Sequence, residues 1–157
     1  MDKSGFSSEI PPVVRLRLKI EINTREHFSI MGIEKRPYSV KSDWFSGVCE
    51  LSTYSLKELL GTKLRALYQR RKGRDLFDLW IGLTEGHADN EAIVRVFKRY
   101  METGGHHVTQ EEFRKKLQDK MRNRNFLRDT DGLLRPGIAY DPQEAFRLVE
   151  NGLINII

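Results

Sequence analysis

The charged residues that could do chemistry in this chain gather at two places. The first is a crowd of cations: Lys63, then Arg70, Arg71, Lys72 and Arg74, followed at once by Asp75 and Asp78. Positive charge is favoured at a helix C-terminus, but five cations in so short a span exceed that need and suit the grip of a phosphate group. Asp75 and Asp78 lie one helical turn apart, so they can pair with Arg71 or Arg74, or orient such cations toward a ligand. The second place is Glu21, set between Lys19 and Asn23 on what reads as the polar face of a strand. A carboxylate on a rigid strand is the mount that magnesium-dependent phosphoryl or nucleotidyl transfer uses, and it is also an ordinary solvated strand residue. His106 and His107 adjoin Gly104 and Gly105 with no Cys or third His nearby, which reads as a loop and not as a metal site. Cys49, the single cysteine, has no His partner at a recognisable spacing and reads as a packing residue of a strand.

These groups need elements to hold them. Val14, Leu16, Leu18, Ile20 and Ile22 alternate with polar residues, the period of a strand with one buried face. Residues 23–42 read as a loop broken by Gly32 and Pro37, and a second strand from Trp44 to Tyr54 is expected to pair with the first. Ser55 with Glu58 forms a capping-box pattern, and Leu56, Leu59, Leu60, Leu64 and Leu67 predict a helix to about Lys72, stopped by Gly73. A shorter helix opening at Arg74 or Asp75 carries Leu76, Phe77, Leu79, Trp80 and Leu83. Asp89 caps a third helix, Thr109 a fourth, and Asp141 with Pro142 and Glu144 a last one. Trp44, Trp80 and the phenylalanines read as core. The pattern is α+β: residues 1–54 a partial sheet region, residues 55–157 a helical region carrying the Lys/Arg-Asp motif.

Composition narrows the class. The chain has 157 residues, 39% of them hydrophobic, and a net charge of +5. Mean hydropathy is −0.53. No membrane-spanning run or signal peptide is readable, so a cytoplasmic protein is expected. Charge is uneven: residues 57–75 carry seven basic and two acidic side chains, residues 95–128 ten and four, and residues 129–157 two and five. The basic stretches suit either a solvated surface or a polyanionic partner, with Arg114 to Arg128 the best candidate for contact with an RNA backbone.

The run from Thr53 to Leu79, TYSLKELLGTKLRALYQRRKGRDLFDL, resembles the signature of the AbiEii/AbiGii toxin family of nucleotidyltransferases. The segment Leu18-Lys19-Ile20-Glu21-Ile22-Asn23 is similar to that family's strand bearing its third acidic residue. The resemblance implies a toxin component of a bacterial toxin–antitoxin or abortive-infection system that transfers nucleotides from a nucleoside triphosphate, with Mg2+, to an RNA acceptor such as tRNA. By position it implies Glu21 as a metal-binding residue, Lys63 as the triphosphate contact, Asp75 as the acidic residue of the later motif, and Arg70 and Arg74 as phosphate-binding helpers. A cognate antitoxin is the implied protein partner.

The same resemblance calls for an earlier motif, a glycine and serine followed by Asp-x-Asp. The twenty residues before Glu21 contain no such carboxylate pair. The chain therefore reads as the carboxy-terminal half of a toxin, inactive in isolation because two-metal transfer needs several carboxylates. An exposed sheet edge or apolar face, with self-association, is the expected consequence. A non-catalytic helical module that binds RNA or an antitoxin, and a degenerate remnant, are the alternative readings.

Overall fold

The computed structural model describes residues 3–7, 11–19 and 28–157. Within them the chain is α+β, four strands preceding the helices. Strand β1, Lys3–Ser7, pairs antiparallel with β2, Arg15–Lys19, Lys3 lying opposite Lys19. Glu21 lies outside the described residues. Strand β3, Ile33–Lys41, pairs antiparallel with β4, Ser46–Tyr54, and the two hairpins form separate two-stranded sheets.

This pairing corrects two expectations. The segment read as loop contains β3, and β4 pairs with β3 instead of with the first strand. Pro37 is the residue that misleads. It sits within β3 opposite Glu50, and in a two-stranded ribbon each strand has an unpaired side, where a residue without an N–H is tolerated. Trp44 belongs to the tight connection and not to the strand. There Ser42 N–H donates to the Phe45 carbonyl at 2.8 Å, and its hydroxyl accepts from Phe45 N–H at 3.1 Å.

The β3–β4 ribbon does not bury a face as the alternation suggested. Val48 is 81% exposed and Trp44 89%, and Cys49 is exposed instead of packed. Alternation buries a face only where a second layer covers it. The expectation of exposed apolar surface is met here.

The core is helical. Helix α1, Leu56–Gln69, starts as predicted, with the Ser55 hydroxyl accepting from Glu58 N–H at 3.3 Å. It ends before Lys72, because the backbone turns extended at Arg70. Gly73 opens helix α2, Gly73–Glu85, instead of stopping α1. A Cβ on Gly73 would lie 2.0 Å from the Phe126 carbonyl oxygen, so close backbone approach is what requires glycine there. Helices α3, Asn90–Thr103, and α4, Gln110–Met121, carry the predicted caps Asp89 and Thr109. A single turn, α5, Arg124–Leu127, was not legible in the periodicity, and α6, Pro142–Gly152, follows with Asp141 as its cap.

Leu60, Leu64 and Leu67 of α1 pack with Leu76 and Leu79 of α2, Ile93 and Phe97 of α3, Phe113 and Leu117 of α4, and Val149 of α6. Fully burying each such side chain stabilises the fold by roughly 1.5–3 kcal/mol. Gly61 lets α1 and α3 meet closely, since a Cβ there would fall 2.4 Å from Val96 Cγ1. The segment leading into β3 is tied to this body. Phe28 stacks on Tyr100 with ring centroids 5.1 Å apart. Glu58, fully buried, accepts from the N–H groups of Ile30 and Met31 at 2.8 and 3.0 Å and from the Tyr100 hydroxyl at 2.7 Å.

Candidate functional site

The corner between α1 and α2 brings together Lys63, Arg70, Asp75 and Asp78. Because α1 stops at Gln69 and α2 begins at Gly73, the end of one helix faces the first turn of the next. Asp75, in that first turn, is fully buried. Its carboxylate receives two parallel bonds from Arg70, Nε at 2.7 Å and Nη2 at 2.6 Å. This bidentate geometry is the strongest form of the pair. It raises the Arg70 pKa, chiefly through the hydrogen bonds to Asp75. Lys63, from the middle of α1, places Nζ 2.5 Å from Asp78 Oδ2 and 3.8 Å from Asp75 Oδ1. Lys63 and Asp78 are partly exposed, so the cluster opens to solvent on their side while Asp75 closes it from within.

Neither aspartate pairs with Arg71 or Arg74. Arg74 turns to Asp129, with Nε 3.6 Å from Oδ2, and its backbone N–H donates to the same oxygen at 3.2 Å. Lys72 also reaches Asp129, at 3.9 Å. Asp129-Thr130-Asp131 has Asp-x-Asp spacing, but Asp129 is held by these cations and Asp131 by Arg128 Nε at 2.7 Å.

A divalent metal does not fit the donors at this corner. Both Asp75 oxygens are engaged by Arg70, and Asp78 is engaged by Lys63. Among the described residues no group of three or more His, Cys, Asp or Glu side chains is placed to hold a metal ion. The cluster has the chemistry of an anion contact, with Lys63 as its accessible cation.

Two groups that sequence reasoning passed over also shape this region. Glu58 was read as half of a capping box, yet its carboxylate clamps residues 30 and 31 instead. Lys120 reaches from α4 to the C-terminal end of α1, where Nζ donates to the carbonyl oxygens of Leu67 and, at 3.0 Å, Tyr68. It thereby satisfies carbonyls that the last turn of a helix leaves without partners. Burial, reinforced by the positive charges of Lys116 and Arg71, pushes its pKa down to about 8. The one signal in the sequence was spacing, since Lys120 lies at i+3 from Leu117 and i+7 from Phe113 on the apolar side of α4.

Beside Lys120 lies a cleft of about 650 Å³ whose walls include Arg70, Arg71, His106, His107, Lys116 and Lys120. At its floor the Tyr68 hydroxyl donates to Glu112 Oε1 at 2.5 Å and accepts from Lys116 Nζ at 2.7 Å. Burial raises the Tyr68 pKa, and the bond from Tyr68 lowers that of Glu112.

Comparison with known protein families matches residues 4–148 to AbiEii, described as "Nucleotidyl transferase AbiEii toxin, Type IV TA system". The chain belongs to this family. No curated protein and no solved structure matches it. As an AbiEii chain it is of the nucleotidyl transferase toxin class, a description that implies a nucleoside triphosphate substrate and a partner antitoxin. Among the described residues, no helix of this AbiEii chain is long and apolar enough to cross a membrane.

Proposed function

We propose that the α1–α2 corner is the triphosphate contact of a nucleotidyltransferase toxin that acts in the cytoplasm and transfers nucleotides to an RNA acceptor. The observation that carries this reading is the Lys63 ammonium, partly exposed and aimed by Asp75 and Asp78. Asp75 is itself locked by Arg70. A cation positioned by carboxylates on two helices exchanges its partner for a phosphate oxygen without rebuilding the fold. Arg74, paired to Asp129, is an auxiliary phosphate contact in this proposal. Glu21 is its metal-binding residue, and Mg2+ would supply charge neutralisation on the triphosphate.

Transfer also needs the carboxylates of the Gly-Ser/Asp-x-Asp motif, so binding and catalysis are expected to separate in this 157-residue chain. Calorimetric titration with each of the four nucleoside triphosphates tests the site. Lys63→Ala is expected to weaken binding about tenfold, the effect of one charge-assisted contact, whereas Lys98→Ala on α3 leaves it within about twofold. Equal losses from both would reduce the site to a diffuse basic surface. Incorporation of labelled nucleotide into tRNA by this chain would overturn the separation of binding from transfer.

A further inference from the structure

The two most basic stretches of the chain meet across one concave surface. The cleft beside Lys120 takes Arg70 and Arg71 from the first stretch, and Lys116 and Lys120 from the second, while His106 and His107 line it at the end of the α3–α4 connection. No lining residue comes from the acidic residues 129–157. We propose that this cleft is a binding groove for the phosphodiester backbone of a single-stranded polynucleotide, separate from the Lys63 contact and adjoining it at Arg70.

Three observations support a polynucleotide ligand. The first is unspent charge: Arg71 is exposed and forms no ion pair with any described residue, and the same holds for His106 and His107. The acids of the cleft are already engaged, Glu112 by the Tyr68 hydroxyl and by Lys116 at 3.3 Å, and Asp119 by Arg122 at 3.5 Å. The second is size. About 650 Å³ exceeds what one phosphate needs and suits a short stretch of chain. The third is the division of labour around Arg70. Its guanidinium is committed to Asp75, so it marks the boundary between the two regions, and a strand in the cleft would run toward Lys63. Placing that strand as the acceptor rests on the triphosphate reading of Lys63. The phosphodiester groove itself does not.

Fluorescence anisotropy tests this, using labelled single-stranded RNA and DNA of about twelve nucleotides. The variants are Arg71→Ala, Lys116→Ala and their combination, with Arg147→Ala on α6 as a control of equal charge. Circular dichroism establishes that each is folded. The double variant is expected to lose about tenfold or more in affinity at low salt, with a shallower salt dependence than the wild type, and Arg147→Ala to stay within about twofold. Equal affinity for RNA and DNA identifies the backbone phosphates as the whole contact, while tighter RNA binding adds the 2′-hydroxyl to it. Either result supports the groove.

Lys63→Ala separates the two sites. Loss of triphosphate binding with oligonucleotide binding intact supports both. Oligonucleotide binding in a chain that binds no triphosphate would retain the groove and remove the proposed function. The groove is overturned if the wild type binds neither oligonucleotide, if Arg147→Ala costs as much as the double variant, if Lys63→Ala abolishes oligonucleotide binding as well, or if polyglutamate displaces the oligonucleotide at equal charge concentration.

Discussion

At the scale of single residues, the α1–α2 corner contains two ion pairs of different kinds. Asp75 is fully buried, and only the Arg70 guanidinium offsets its desolvation. Arg70→Ala leaves that carboxylate without its bidentate partner and is expected to cost about 2 kcal/mol, discounted from the fully buried case because Arg70 is half in water. Lys63→Ala removes a partly exposed pair and should cost within about 0.5 kcal/mol. Urea unfolding of the two variants checks this, and similar midpoints would show that the bidentate pair contributes no more than the open one. The difference matters for function. A nucleotide-binding defect in Lys63→Ala reports on the site, while one in Arg70→Ala mixes site and fold.

At the scale of elements, the end of α1 depends on a side chain from another helix. Arg70 leaves helical geometry, and Lys120 of α4 supplies the donor for the last carbonyls. The buried ammonium titrates near 8, against an ordinary 10.5. The folded chain therefore holds fewer protons than the unfolded chain between these values, and stability rises with pH across that window. Measured against Lys120→Met, which has nothing to titrate, the wild type should gain stability between about pH 7 and about pH 9.5. A constant difference in unfolding free energy between the two proteins would rule out a depressed Lys120. The comparison ends below the region where Tyr68 and Tyr140, both raised above 10.0 mainly by burial, begin to matter.

For the whole molecule, stability should reside in the helical core and not in the β3–β4 ribbon. Leu64 is fully buried among α1, α2 and α3 residues, whereas Val48 stands 81% exposed. Leu64→Ala is expected to cost about 3–5 kcal/mol through lost burial and a residual cavity. Val48→Ala should cost less than about 0.5 kcal/mol. Thermal unfolding followed by far-ultraviolet circular dichroism distinguishes them, and comparable melting temperatures would mean that the ribbon is covered by something these contacts do not include.

Local order was legible in the sequence where a short-range rule decides it. The caps at Ser55, Asp89, Thr109 and Asp141 each accept a backbone N–H two or three residues on. Their helices follow because capping and the 3.6-residue apolar period act within one or two turns. The crowding of Lys63, Arg70, Asp75 and Asp78 was equally visible, since one helix, a short break and the next helix bring them together. Tertiary structure alone decided the partners. Arg70, not Arg71 or Arg74, reaches Asp75, because the backbone leaves α1 three residues before the glycine that resembled its stop. Gly73 is glycine because the Phe126 carbonyl, 53 positions away, needs its space. Glu58 and Lys120 are bound to groups 28 and 53 residues distant. The pairing of β4 with β3, and the exposure of Cys49 and Trp44, also escaped the pattern. Alternation records which side chains share a face, and only the packing of other layers decides whether that face is buried.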